Sequence, residues 1–485
     1  MKIGKEIEKI IKTLEEKGFE AYLVGGCVRD FLMGKKPKDW DIATNALPEE
    51  ILKLFKNSFS NNKFGTVLVL TNSKEKDLKE VEITTYRIDE KYTDKRHPDI
   101  VKWAKDIKED LKRRDFTINA MAMRIKKGGF EIIDPFLGKE DIKKGIIKAV
   151  GKPQERFDED ALRMMRAVRF ATTLGLKIEE KTKIAIKENI NLLKNISQER
   201  IRDEFLKIIM SPLAKEGIEE LRQLGALSIF MPELEKSYNV KQNKHHIYDC
   251  YEHAIFSLDY AAKKKFNMHV RVAALLHDIG KPQTKRGEGA DSTFYNHEVV
   301  GARIAENILR RMKFQKKDIE KITKLVRYHL FYYNVGEVKE SSVRRLVRNV
   351  GIENIDDLLS LRMSDRIGSG VPKAEPYKLR HLKYLIDKIS QDPVSVSMLK
   401  IGGKEVMEEL KISPGLKVGM ILDILLGFVL NNPEKNKRDI LLKELKKLSN
   451  LSDNDIEIMS KEAKKERGKV EIKKDEMTKE KYWII

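Results

Sequence analysis

The stretch Ala21–Gly34, AYLVGGCVRDFLMG, followed by Lys36–Thr44, KPKDWDIAT, decides how the first part of this chain folds. Ala21 to Val24 is short and apolar and reads as a strand; Gly25-Gly26 follows, and a helix begins near Val28. Glycines at that turn let backbone approach a phosphate closely, and the helix N-terminus offers free N–H groups. Asp39 and Asp41 are separated by one residue, so on a strand both carboxylates point to one face. Like charges that close repel, and a shared Mg²⁺ relieves them. Metals bridging such carboxylates can activate a hydroxyl and hold triphosphate oxygens. A lone Gly-Gly is most often only a turn, and an isolated Asp-x-Asp after Pro37 only a solvated one. The succession of the two points to the metal.

Outward from that stretch, Val67–Leu70, Val81–Tyr86 and Ile132–Asp134 read as further strands, the second rich in β-branched residues. Past Gly151 the apolar period becomes that of a helix, and Glu155–Leu174, Glu180–Leu193 and Glu199–Met210 are each expected to be one helix. A helical block from about His245 to Gly370 holds most of the histidines. From Pro433 the chain is dense in Lys and Glu, and its last ~20 residues are expected to be poorly ordered. The fold class is therefore α+β, an N-terminal head with a small mixed β-sheet followed by an all-α remainder. Expected domains are 1–150, 151–240, 241–375 and 376–485.

The 485 residues carry a net charge of +20, which favours a polyanionic partner, although solvated lysine-rich helix faces give the same balance. Cys27 and Cys250 are too few for a disulfide framework or a Cys-based zinc site. The N-terminal twenty residues form an amphipathic helix without the apolar core of a signal peptide. The longest apolar run, Val418–Leu430, contains Asp423 and is too short to span a bilayer. These features predict a cytoplasmic chain with no membrane partner.

Six segments occur in order: GGCVRD, DWDIAT, RRDFTINAMA (Arg113–Ala122), DPFLG, EDALRMMRAVRF (Glu159–Phe170) and SQERIRDE (Ser197–Glu204). Together, over about residues 20–235, they closely resemble the class II tRNA nucleotidyltransferases, the CCA-adding enzymes and their bacterial poly(A) polymerase relatives. The resemblance implies a nucleotidyltransferase head in which Asp39 and Asp41 hold Mg²⁺ and Gly25, Gly26, Arg29 and Arg114 hold the nucleotide. Arg suits that task because its fixed fork grips phosphate or ribose oxygens with two bonds. Asp30 would orient Arg29, Asn119 would be a linking hydrogen-bonder, and Glu82 a third carboxylate near the metals. Asp160 and Arg163, three residues apart, read as neighbours on one helix. In an ordinary protein they would be a weak ion pair; here the resemblance implies that they read the incoming base. Cytosine and adenine each present an exocyclic amine beside an unprotonated ring nitrogen, which a carboxylate and a guanidinium complement, whereas uracil and guanine do not. Arg166 would face the nucleotide too, and Arg169 continues the same row. The polar segment Thr85–Val101 matches the family's flexible loop, with Arg87, Asp89, Tyr92, Asp94, Arg96 and Pro98 fitting the pattern of enzymes that add all three nucleotides.

A second constellation lies in the histidine-rich block. LLHDIGKP puts His277 and Asp278 at the end of an apolar helix, Val270–Leu276, where burial is costly unless something coordinates them. With His253, His297, His329 and Asp365 they follow the order seen in HD-type metal phosphohydrolases. His253, His277, Asp278 and Asp365 are the metal-ligand candidates, for a divalent ion whose identity the sequence leaves open. A degenerate HD fold kept for packing or RNA contact is the competing reading. The expectation is thus a CCA-adding enzyme using CTP, ATP and Mg²⁺ on tRNA, with A-adding, CC-adding or poly(A)-forming relatives as alternatives. An HD hydrolase with an inactive head is the alternative from another class.

Overall fold

The computed structural model describes residues 3–60, 65–90, 100–126, 128–243, 247–390, 396–431 and 433–484. The chain divides into two compact units, residues 1–330 with 357–372, and residues 331–356 with 373–485.

The first unit opens with α1 (Lys5–Glu15), β1 (Ala21–Val24), α2 (Gly26–Leu32), β2 (Asp41–Thr44), α3 (Pro48–Leu54), β3 (Ser58–Ser60), β4 (Thr66–Leu70) and β5 (Glu80–Thr85). After a two-stranded ribbon, β6 (Arg87–Glu90) and β7 (Ile100–Trp103), come α4 (Ile107–Lys112), β8 (Ala122–Lys126), β9 (Gly129–Ile133) and α5 (Gly138–Lys144). Seven strands form one sheet in the order β3-β4-β5-β2-β1-β8-β9. Only the β2–β5 pairing is parallel, so the sheet is mixed as expected. Ile7, Ile10, Ile11 and Leu14, spaced three and four apart on α1, pack with Leu23, Ile42, Val67 and Val81 on one face. Tyr22, Val24, Ala43 and Ala122, the alternate residues, pack with Tyr86 and Leu111 on the other.

Helices follow: α6 (Pro153–Glu159), α7 (Leu162–Leu174), α8 (Glu180–Asn189) and α9 (Gln198–Ile209). The expected single helix Glu155–Leu174 is two. Asp160 takes extended backbone (φ −144°, ψ 103°) and caps α6, and its Oδ1 accepts from Leu162 N (3.0 Å), which starts α7. An Asp that hydrogen-bonds the next turn competes with the helix, and here it wins. Further on, the helices Cys250–Lys263, Met268–Leu276, His297–Arg311 and Lys316–Tyr328 belong to the same unit.

The second unit is helical. Ile421, Leu425 and Leu426 of the helix Leu416–Asn431 pack with Leu441, Leu445 and Ile456. The C-terminal residues expected to be poorly ordered instead lie in one helix, Asp453–Tyr482, N-capped by Ser452. It is held because Ile456, Ser460 and Thr478 are buried and Asp475 meets Tyr384 Oη (2.5 Å) and Lys388 Nζ (3.3 Å). No helix among the described residues is long and apolar enough to cross a membrane.

Candidate active site and candidate metal centre

At the C-terminal end of β1 the chain turns at Gly25, with φ +73° and ψ −130°, a conformation that disfavours any side chain. A Cβ there would stand 2.8 Å from Arg114 Nη1 and 3.6 Å from Asp41 Oδ2, so the glycine is also what lets these two groups converge on the turn. The Cys27 thiol donates back to Val24 O (3.1 Å), and burial pushes it up to about 12, leaving it inert.

Trp40 and Ile42 point into the core, so Asp39 and Asp41 share the opposite face, as the alternation predicts. The parallel pairing of β2 with β5 sets Glu82 directly beside Asp41. Burial, and then the charges of Glu82 and Asp39, raise the Asp41 carboxyl to about 6 against the opposing pull of Arg114. Glu82 is raised as well, by burial and by the charge of Asp39 and Glu80. With Asp41 and Glu82 both raised and Asp39 beside them, the carboxylates make a site whose repulsion a divalent cation relieves. The donor set, all oxygen, fits Mg²⁺.

Behind this face lie the arginines of RRDFTINAMA and EDALRMMRAVRF. Arg114 Nη2 donates to the buried Asp110 (3.1 Å), while its Nε is buried with no hydrogen-bond partner among the described residues. Arg29 donates from Nε and Nη2 to Asp30 Oδ1 (2.9 and 2.7 Å) and from Nη1 to Asn119 Oδ1 (2.7 Å). Asn119 in turn donates to Asp115 Oδ1 (3.1 Å), and Asp115 Oδ2 accepts two bonds from Arg166 (2.8 and 2.6 Å). Burial alone would raise Asp115, but Arg166 and its other donors outweigh that and hold it at about 2. Arg29, Arg166 and Arg169 all lie against the Phe170 ring, at 5.4, 5.4 and 3.9 Å from its centroid. Arg169 is turned to Glu204 of α9 (3.0 Å). Asp115 and Phe170 sit inside quoted motifs and Asp110 three residues before RRDFTINAMA, yet the sequence alone singles out none of the three.

Asp160 and Arg163 do not pair with each other. Arg163 binds Glu159 (2.5 Å), Arg156 O (3.2 Å) and, across to the head, Arg113 O (3.0 Å). Asp160 Oδ2 binds Arg200 of α9 (2.7 Å). The neighbour relation expected of an unbroken helix is replaced by two separate anchors on either side of the α6–α7 break. Arg87 and Asp89 lie on β6, 3.0 Å apart, with Asp89 3.6 Å from Arg113. Tyr92, Asp94, Arg96 and Pro98 lie outside the described residues.

The second constellation gathers in one buried cluster. Asp278 Oδ2 faces His253 Nε2 (3.1 Å) and His277 Nε2 (3.4 Å), and its Oδ1 faces His297 Nε2 (3.2 Å) and His329 Nε2 (3.5 Å). Asp365 Oδ1 lies 3.3 Å from His253 Nε2 and 3.8 Å from His277 Nε2. The close approach of Gly280 to Gly301, where a Cβ on Gly280 would stand 2.6 Å from Gly301 N, seats the helix carrying His297 against the HD turn. Each of His277, His297 and His329 turns Nδ1 to the backbone carbonyl three residues before it, at 2.7–2.9 Å. An N–H···O=C bond there fixes the proton on Nδ1 and aims the Nε2 lone pair inward. The His253 and His277 Nε2 atoms stand only 2.9 Å apart, an arrangement that needs a proton or a metal between the rings. Nitrogen and carboxylate donors in this number fit a divalent transition metal. A cavity of about 800 Å³ opens beside the cluster, lined by Lys281, Tyr295, Arg362 and Arg366 among others.

Comparison with known proteins finds family matches over both regions. The "Poly A polymerase head domain" family matches residues 21–148, the "Probable RNA and SrmB- binding site of polymerase A" family residues 175–238, and the "HD domain" family residues 250–367. The CCA-adding enzyme of Lactococcus lactis subsp. lactis is 35% identical over 444 residues, 91% of this chain and 97% of that one. The CCA-adding enzyme of Lactobacillus helveticus is 50% identical over 211 residues, 43% of this chain and 51% of that one. Among solved structures, the Bacillus stearothermophilus CCA-adding enzyme in complex with CTP is similar with a TM-score of 0.60 at 27% identity, covering 92% of this chain and 98% of that one. Identity of 35% over 91% of this chain and 97% of the Lactococcus lactis enzyme means that this chain belongs to the CCA-adding enzymes, a family of tRNA nucleotidyltransferases.

Proposed function

We propose that this chain extends the 3′ end of tRNA by CMP, CMP and AMP, taking CTP and ATP as substrates and releasing pyrophosphate, with the protein itself in place of a nucleic-acid template. The observation that carries the reading is the convergence of Gly25, Arg114, Asp39, Asp41 and Glu82 at one end of the sheet. Asp39 and Asp41, with Glu82 beside them, would hold Mg²⁺, which when bound lowers the pKa of the attacking 3′-hydroxyl and takes up triphosphate charge. Arg114 directs its unsatisfied Nε–H and its Nη1 to the nucleotide, and the glycine turn leaves room for the phosphates. Arg29 and Arg166, locked through Asn119 and Asp115, supply fixed positive charge behind them.

Asp160 and Arg163 keep capacity to read a base. Each Asp160 oxygen has a free lone pair after its one bond, and Arg163 has five N–H donors, of which three are engaged. The carboxylate accepts from the exocyclic amine of cytosine or adenine and the guanidinium donates to the adjacent ring nitrogen. The basic helical remainder binds tRNA chiefly through phosphates and A-form shape. The HD cluster favours a second activity, a metal-dependent phosphohydrolase, with His253, His277, Asp278 and Asp365 holding the ion and His297 and His329 beside them. Labelled CTP and ATP, supplied separately and together to tRNA ending at the discriminator base, test the main reading. Addition of all three nucleotides supports it, whereas addition of A alone, of CC alone or of an A tail assigns the chain to another branch.

A further inference from the structure

Asp110 lies on α4 with its side chain 1% exposed, beneath two consecutive arginines. Its Oδ1 accepts from Arg113 Nε (3.0 Å) and Nη2 (2.6 Å), and its Oδ2 from Arg114 Nη2 (3.1 Å). A carboxylate so far from water is tolerated only while paired, and here both guanidiniums pair with it. The consequence for Arg114 is geometric. Its Nη2 is tied back to Asp110 while its Nη1 reaches the Gly25 turn, so the guanidinium is spanned between Asp110 behind and Asp41 in front. Arg113 is fixed by the same carboxylate, and its carbonyl is the head-side anchor of Arg163. Both Asp110 oxygens are taken by these two arginines, so it acts through its two neighbours.

We propose that Asp110 is a positioning residue for nucleotide capture: it holds Arg114 away from Asp41, so that the guanidinium stays open to a triphosphate and Asp41 stays open to a cation. Without it, Arg114 has Asp41 as its remaining carboxylate neighbour and closes onto it. The inference rests on the head being a nucleotide site, and CTP binding, rather than tRNA extension, is the quantity that tests it.

The dissociation constant for CTP is measured by equilibrium titration on the full chain for the wild type, D110N, R114A and the double variant, with tRNA affinity measured in parallel. D110N is expected to weaken CTP binding by about tenfold or more, the loss typical of a charge-assisted contact, with tRNA affinity within about twofold of wild type. In the R114A background, D110N is expected to add less than about twofold, because the group it positions is gone. D110E, which keeps the charge, is expected to restore part of the affinity, and D110S replaces D110N in the cycle should D110N fail to fold. Independent, multiplying effects of D110N and R114A, an equal loss of tRNA affinity, or CTP binding by D110N at the wild-type level would each overturn the proposal. A wild type that binds CTP but does not extend tRNA would sink the proposed function while leaving this cycle to judge Asp110.

Discussion

In metal-free protein the proton on His253 does the work of a cation, and removing it has a calculable consequence. Burial opposes charge on this ring, but its hydrogen bonds to Asp278 and Asp365 and their fields outweigh burial and lift it to about 9. The same residue in an unfolded chain titrates near 6.5. A raised imidazole contributes stability that is complete below about pH 6.5 and is lost as pH rises through about 9. The gap corresponds to about 3 kcal/mol. A divalent metal entering the cluster displaces this proton, so binding releases close to one proton at pH 7.5 and tightens about tenfold per pH unit between 7 and 8.5. Titration of chelator-treated protein with Mn²⁺, in buffers of different ionisation enthalpy, measures both quantities. His253→Ala should abolish the proton release together with most of the affinity. A Mn²⁺ affinity that stays level from pH 7 to 8.5, with no proton released, would refute the reasoning.

Asp41→Ala is expected to abolish CMP incorporation while tRNA affinity, read by filter binding, stays near wild type; incorporation above a few per cent would remove the metal role. Gly25→Ala forces a side chain into a positive-φ turn and against Arg114, so CTP affinity should drop sharply and stability by about 1–3 kcal/mol, measured by nucleotide titration and thermal melting. Asp160→Ala should relax discrimination against UTP and GTP in single-nucleotide incorporation, and Arg200→Ala should relax it in the same direction because Arg200 anchors Asp160; unchanged selectivity in both would exclude base reading by this carboxylate. His277→Ala is expected to leave CCA addition intact and to eliminate metal-dependent phosphatase activity on a generic phosphomonoester. Loss of addition with the fold intact would show that the two sites are not separate.

Whatever depends on local spacing was legible in the sequence. The strand–glycine–helix turn and the shared face of Asp39 and Asp41 follow from residues close along the chain, while the linking role of Asn119 and the order of the HD ligands follow from motif resemblance. Contacts across the fold were not. Asp115 meets Arg166 from 51 positions away and Asp160 meets Arg200 from 40, and no periodicity announces such pairs. The apolar period of Glu155–Leu174 places Asp160 inside a helix; its own side chain, accepting from Leu162 N, breaks that helix. The C-terminal segment was read as loose from its charge, but a few buried contacts with neighbouring helices are enough to hold it.

If Asp160 and Arg163 read the base as proposed, the break at Asp160–Ala161 makes the pair a caliper. One jaw, Asp160, is fastened to α9 by Arg200; the other, Arg163, is fastened to the head by the Arg113 carbonyl. The acceptor is thus held from α9, and the donor both from the head and from Glu159 and the Arg156 carbonyl of α6, so anchors rather than free rotamers set the opening. On that reading, two bases of different width but like edges would be gauged by one pair of residues, with the adjustment made in the backbone that carries them.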